Sequence, residues 1–288
     1  MKGCLRTFLP FLLLFTICIY SNIAIYNLHD KKKTEIISYL ATFPESLARA
    51  VILEFPGIAS DHLMLKVLTY LGQLLIDNST PSREEWSAVY LTLKQCINLD
   101  PSFLDPYVLA QMTLPSDAGM VKETNDLLER GAKVLINDYR PHFFLWHNYS
   151  SYLNDPLSAA KHLEQAARMP GAPSYFSTLA ARTQLYAGNI YAAVIFLEET
   201  LKETQDSSIR SFLSMRLEAL KRIGFLEVKI QEYKKRHNKS PGDLKDLIDG
   251  GIITRIPSDP YGGHFYVMDN GRVYTTSKLV LLRKSGQE

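Results

Sequence analysis

The sequence has few cysteines, little net charge and none of the short motifs that mark common catalytic centres. Its three cysteines are Cys4, Cys18 and Cys96, and they form no CxxC or CxxCH pattern, so we predict neither a disulfide framework nor attached haem. A net charge of +2 argues against nucleic-acid binding, which needs a concentrated basic face. No HExxH, GxSxG, Walker or GxGxxG pattern occurs. We therefore predict a protein that is not an enzyme and has no cofactor.

The histidines do not form a metal-binding pattern either. His142, His147 and His162 are the nearest to one another in the sequence, but residues five apart face different sides of a helix. We therefore predict no metal site, and we infer no small-molecule substrate. Cys96 continues a helical apolar pattern with Val89 and Leu93, which predicts a small buried side chain.

A long uncharged run lies near the N-terminus, from Phe8 to Tyr26. About 20 apolar residues span a bilayer as a helix, so we predict a short flank at 1–7 and a transmembrane anchor at 8–27. A cleaved signal peptide is the alternative, but the small residues that cleavage needs are scarce around Asn22–Ala24. Phe15–Ile17 likewise lacks the small residue expected before a lipoprotein cysteine.

Apolar residues after this run recur at helical spacing until about residue 237. Ser82 and Glu85 have the spacing of a capping box, which predicts a helix start. Clusters rich in Pro, Gly, Asn and Asp predict the breaks between helices: Asn78–Pro81, Asp100–Pro101, Pro115–Asp117 and Pro170–Pro173.

The helical region contains a repeat. Tyr186–Leu197 has a glycine turn followed by an aromatic and then small residues, and Asn154–Leu163 occupies the same frame 34 residues earlier, with Ala159 matching Ala193. A weaker copy runs through Thr124–Ala132. This pattern resembles the tetratricopeptide repeat (TPR), in which a small residue lets two helices touch. We predict a TPR-like domain over residues 34–205.

The order of these segments resembles a bacterial membrane-anchored TPR family. The resemblance rests on Leu99–Tyr107, Leu127–Asp138 and Ala166–Asn189. It implies that a protein partner binds in a concave groove formed by the first helix of each pair. In the repeat frame, the residues that line this groove are Asn148, Ser151, Tyr152, Arg182, Leu185 and Tyr186.

The remainder, residues 206–288, has a different pattern. Apolar residues three or four apart from Ile209 to Tyr233 predict one long amphipathic helix. Ser240 and Pro241 predict the start of a short helix. Alternating residues on both sides of Asn270-Gly271 predict a β-hairpin.

The segment from Tyr233 to Val267 resembles the globular part of type II secretion major pseudopilins. The matching residues include Ser240-Pro241, Leu244, Leu247 and Asp259–Gly262. The apolar pilin stem with its processing glycine does not precede this helix, and no acidic calcium-binding loop follows it. We therefore expect a pseudopilin-like α+β element rather than a pilus subunit.

The predicted fold is mostly α: one transmembrane helix, a TPR-like α-solenoid and a small α+β element with a hairpin. The leading functional hypothesis is a non-catalytic scaffold or assembly factor that binds proteins of a bacterial envelope complex. The alternative is an accessory component of a type II secretion or type IV pilus-like machine, and an enzyme is a remote third possibility. Positive residues flank both ends of the anchor, with a slight excess at Lys31–Lys33 that favours a cytoplasmic body. The pseudopilin resemblance implies instead a periplasmic body on the bacterial inner membrane.

Overall fold

A computed structural model of the chain describes residues 19–21 and 55–280. The predicted anchor at 8–27 lies outside these residues except for the helical residues 19–21. Across the described ranges, no helix combines the length and the apolar character needed to cross a membrane. The chain divides into two compact units, one up to Val134 and one from Leu135.

The first unit contains four helices in its described part. These are α1 (Pro56–Asp77), α2 (Arg83–Leu99), α3 (Asp105–Asp117) and α4 (Val121–Val134). Each helix packs against the next one, and α2 also contacts α4. Large apolar side chains fill the space between them, among them Val67, Leu93, Tyr107 and Leu128.

Local signals of the first unit are confirmed with one exception. Ser82 and Glu85 form the reciprocal capping box at the start of α2. Cys96 is fully buried beside the Ser60 carbonyl, and burial raises the pKa of its thiol to about 12. The break predicted at Pro115 is wrong, because α3 continues through Pro115 to Asp117. The chain turns only at Gly119, whose positive φ of 68° suits glycine.

The second unit begins with two antiparallel helix pairs. The first pair is α5 (Arg140–Ser151) and α6 (Pro156–Arg168), and the second is α7 (Tyr175–Tyr186) and α8 (Ile190–Glu203). The second helices of the pairs start 34 residues apart, at Pro156 and Ile190. Successive helices pack against each other. Ala159 and Ala193 are both fully buried, and their small size suits close helix packing.

The long helix α9 (Ser207–His237) follows the pairs and packs against α7 and α8. Its buried stripe includes Leu213, Leu220 and Ile230, so the prediction of one long amphipathic helix is confirmed. The short helix α10 spans Lys245–Asp249 and has no side-chain N-cap. The start predicted at Ser240 is therefore wrong: the carboxylate of Asp246 instead accepts hydrogen bonds from the backbone N–H groups of residues 242 and 243.

The predicted hairpin is also confirmed. Strands β1 (Phe265–Val267) and β2 (Val273–Thr275) pair antiparallel, with Tyr266 opposite Tyr274. The turn between them contains Gly271 at a φ of 79°. Helices dominate the described chain, and this hairpin is its sheet, so the fold is mostly α with a small antiparallel element.

Candidate protein-binding groove

Helices α5 and α7, the first helices of the two pairs, approach each other through aromatic side chains. The rings of Phe143 and Phe176 are stacked, with centroids 4.9 Å apart and planes 9° from parallel. The indole of Trp146 lies 5.1 Å from the Phe143 ring. Stacked aromatic pairs fix the separation of two helices more strictly than aliphatic contacts do. These rings therefore form an aromatic contact between the two helices.

Further along the same two helices lies a cleft of about 250 Å³. The α5 side supplies Trp146 and Ser150, and the α7 side supplies Leu179, Arg182 and Tyr186. The turn after α5 contributes Asn154, whose φ of 50° is left-handed and reverses the chain before α6. The cleft is thus open, has two aromatic side chains among its lining residues and is bordered by one cationic side chain. We call it the α5–α7 groove.

Two of the six predicted binding residues line this groove, and two more are exposed near it. Arg182 and Tyr186 are lining residues. Ser151 is exposed at the end of α5, and Tyr152, the next residue, is 43% exposed. These four side chains are accessible to a partner.

Asn148 and Leu185 are placed differently from the prediction. Both are buried, with Asn148 on the same side of α5 as the core residue Leu145 and Leu185 on the same side of α7 as Ala181. Residues three or four apart share a helix face, so each follows its neighbour into the core. Neither side chain is available in the groove, because the repeat frame assigned them to the wrong side of their helices.

The predicted groove residues did not include Trp146, Ser150 or Leu179, which also line the cleft. A usable signal was present. Leu179, Arg182 and Tyr186 have the spacing of one helix face, as do Trp146 and Ser150. Counting three or four residues along the helix from Arg182, instead of using the repeat frame, selects the α7 residues that line the cleft.

The end of the groove is attached to the C-terminal hairpin. The Tyr186 ring stacks on Tyr274 of β2, with centroids 6.0 Å apart. Arg272 donates a hydrogen bond from Nη2 to the Leu185 carbonyl oxygen at 3.0 Å and forms an ion pair with Glu227 of α9 at 2.8 Å. The position of Tyr186 is therefore fixed by the hairpin, whereas Tyr152 has no such support from it.

Two of the histidines, His142 and His162, contact each other. Nδ1 of His142 lies 3.0 Å from Nδ1 of His162, and Tyr149 stacks on the His162 ring. Burial lowers the pKa of His162 to about 4, so this ring is neutral at pH 7. The part of the chain that the structure describes holds no group of three or more His, Cys, Asp or Glu residues placed to bind a metal ion.

Comparison with known proteins gives no relative. No protein-family model matches the chain, no curated protein is similar to it, and no solved structure matches its fold.

Proposed function

We propose that this protein is a non-catalytic, membrane-anchored adaptor that binds a protein partner of a bacterial envelope complex in the α5–α7 groove. The observation that carries the proposal is the groove itself, where Arg182, the exposed Tyr186 ring and the half-buried Trp146 border an open cleft between two first helices. Tyr, Trp and Arg are the residue types that most often dominate protein-binding energy. Their concentration on one accessible surface favours a protein ligand.

The spacing of the helices supports a TPR-like assignment. The first helices of successive pairs begin at Asp105, Arg140 and Tyr175, at 35-residue intervals. The second helices begin at Val121, Pro156 and Ile190. A TPR unit has about 34 residues in two helices. Proteins built from such units bind extended segments or helices of partners along their first helices.

A photo-crosslinking residue placed in the groove tests the proposal in native membranes. We choose Ser150, an exposed groove-lining residue, for p-benzoylphenylalanine, and Tyr191 as the control. Tyr191 is 65% exposed on α8, a second helix. We expect one discrete protein adduct from position 150 and none from position 191. The same adduct from both positions, or none from position 150, would contradict binding in the groove.

We place the anchor in the inner membrane and residues 34–288 in the periplasm. The support is the uncharged run from Phe8 to Tyr26 and the resemblance of the C-terminal element to pseudopilins. Alkaline phosphatase fused after Glu288 should be active, because it folds only after export. An inactive fusion, together with an active cytoplasmic reporter at the same site, would contradict the periplasmic location and place these residues in the cytoplasm.

The alternative function, an accessory component of a secretion or pilus-like machine, is favoured by the C-terminal element. There α9 packs against β2, and the Arg272–Glu227 ion pair joins the hairpin to the helix. A long helix packed on a small antiparallel sheet is what the pseudopilin resemblance implies. Cysteine cross-linking from the exposed ring position Tyr266 to pilin subunits would support this function. Adducts from position 150 alone would support the adaptor.

A further inference from the structure

A second cavity, of about 440 Å³, lies elsewhere in the second unit between α7, α9 and the C-terminal segment. Its walls are mainly apolar and come from all three elements: Tyr175, Ile209, Phe212, Leu213, Leu279 and Val280. Ligand cavities in proteins typically measure about 300–1,000 Å³ and have apolar walls with a few polar groups. This cavity has both properties, and its main polar group is Arg216.

Arg216 is buried, and two of its three guanidinium nitrogens lack hydrogen-bond partners among the described residues. Its side chain is only 7% exposed, and its Nε and Nη1 atoms have no hydrogen-bond partner among the residues of the described ranges. The guanidinium lies 5.1 Å from the centre of the Tyr261 ring. This cation–π contact partly compensates the positive charge, but it offers no acceptor to the N–H groups of the guanidinium. A buried charge without hydrogen bonds is strongly unfavourable. Burial accordingly lowers the pKa of Arg216, although arginine stays protonated in proteins.

The carboxylate of Asp259 does not form an ion pair with Arg216. Asp259 influences Arg216 electrostatically, yet the two form no ion pair within 4 Å in the described structure. One oxygen of Asp259 accepts a hydrogen bond from the Tyr261 backbone N–H at 2.9 Å, and the other accepts from the Thr275 hydroxyl. The remaining charged side chain nearby is Arg182, which also disfavours the Arg216 cation. Among the described residues, no carboxylate forms an ion pair with the Arg216 guanidinium.

We propose that this cavity binds a small monocarboxylate with an apolar tail, of the medium-chain fatty acid class. The carboxylate would accept hydrogen bonds from Arg216, since a guanidinium matches a carboxylate in shape and charge. The tail would lie along Phe212, Leu213 and Val280. One guanidinium favours a single negative charge over a phosphate dianion.

The polarity of the walls favours an aliphatic tail over a peptide. Ser174 and Thr178 are the hydroxyl side chains on the walls besides the Tyr rings. A peptide would bring an amide donor and acceptor with every residue, and buried amides without partners are costly. An alkyl chain has no such groups. This inference goes beyond the adaptor function and does not depend on it.

Calorimetric titration of the full chain in one non-ionic detergent tests the proposal. The probes are octanoate and its neutral isostere octanamide, which partition into the same micelles. We expect octanoate to bind at least about tenfold more tightly, because hydrogen bonds to a charged group contribute more than neutral ones. Arg216→Met should remove this preference. Equal affinity of the two probes, or an unchanged preference in Arg216→Met, would overturn the proposal.

A pair of variants at an exposed position provides a second test that leaves the buried guanidinium unchanged. Phe212 lines the cavity and is 56% exposed, so polar side chains are tolerated there. Phe212→Lys should bind octanoate more tightly than Phe212→Glu does, with no such difference for octanamide. Equal octanoate affinities in the two variants would contradict the proposed carboxylate. An acetylated apolar tetrapeptide with a free C-terminus serves as a competing probe. If it bound more tightly than octanoate, the ligand would be the C-terminal end of a peptide and the proposed fatty acid would be wrong.

Discussion

The helix pairs and the C-terminal element are stabilised by different kinds of contact, although α5–α8 and the element belong to the same compact unit. The core of the pairs consists mainly of apolar and small side chains such as Ala159, Leu163, Ala180 and Ala193. The polar contacts His142–His162 and Gln184–Glu164 also join its helices. The C-terminal element has the buried hydrogen bond from Thr275 to Asp259 and the half-buried ion pair between Arg272 and Glu227. Apolar periodicity is visible in a sequence, whereas polar pairs between distant residues are not. This difference explains why the helices could be predicted from the sequence and the polar contacts of the C-terminal element could not.

Removing the buried carboxylate of the C-terminal element should have the largest effect. Asp259→Ala leaves the Tyr261 N–H and the Thr275 hydroxyl without their acceptor. We expect a loss of about 3 kcal/mol in the free energy of unfolding, since each buried unsatisfied group costs about 1–3 kcal/mol. Urea unfolding of the second unit, followed by Trp146 fluorescence in a Trp86→Phe background, measures this loss.

The exposed Asp269 of the hairpin turn provides the matched control. Asp269→Ala should change the free energy of unfolding by less than about 0.5 kcal/mol, as surface substitutions usually do. If both Asp→Ala variants had the same small effect, polar contacts would not stabilise the C-terminal element, and the comparison with the helix pairs would fail.

Overpacking the helix pairs should have an intermediate effect. Ala193 is fully buried on α8, whereas its neighbour Ala192 is half-buried on the adjacent face. Ala193→Leu adds three carbon atoms to a filled core and should lower the free energy of unfolding by about 1–3 kcal/mol. Ala192→Leu should lower it much less. Equal shifts in the urea midpoint would mean that Ala193 is not at a close helix contact.

Two helix glycines of the first unit should respond to alanine with opposite signs. A Cβ atom on Gly131 would lie 2.9 Å from the buried Tyr107 ring, whereas one on Gly72 would meet nothing within 4 Å. Gly72→Ala should stabilise by about 0.5–1 kcal/mol through helix propensity. Gly131→Ala should destabilise by about 1 kcal/mol, because the overpacking cost exceeds that gain.

Fluorescence of Trp86 in a Trp146→Phe background follows the first unit alone, since these are the two tryptophans of the chain. Stabilisation by both alanines would show that Tyr107 moves freely, and the core of this unit would then be less tightly packed than that of the helix pairs.

The sequence was sufficient for the helices, the long amphipathic helix and the hairpin, because each has a periodic or turn signal confined to a few residues. It failed at Pro115 and at the start of α10. At Pro115 the other contacts of α3 outweigh the lost backbone hydrogen bond. Ser240 does not cap the short helix, and Asp246 instead binds the backbone N–H groups of the turn before it. In the groove, Arg182 and Tyr186 were predicted and line the cleft, but Asn148 and Leu185 are core residues. The cavity around Arg216 had no sequence signal, because its walls come from segments far apart in the chain.

The central claim is that a protein partner binds in the α5–α7 groove. Measuring how two sets of variants bind the cross-linked partner tests this claim most directly. Tyr152→Ala with Arg182→Ala removes one residue that lines the α5–α7 groove and the exposed ring beside it. Tyr191→Ala with Lys202→Ala makes matched changes at exposed positions of α8. The groove pair should weaken partner binding at least about tenfold, since loss of one dominant contact costs about 2 kcal/mol. The α8 pair should bind normally, and both should keep the helical circular dichroism signal. Normal binding by the groove pair, with its folding intact, would contradict the account.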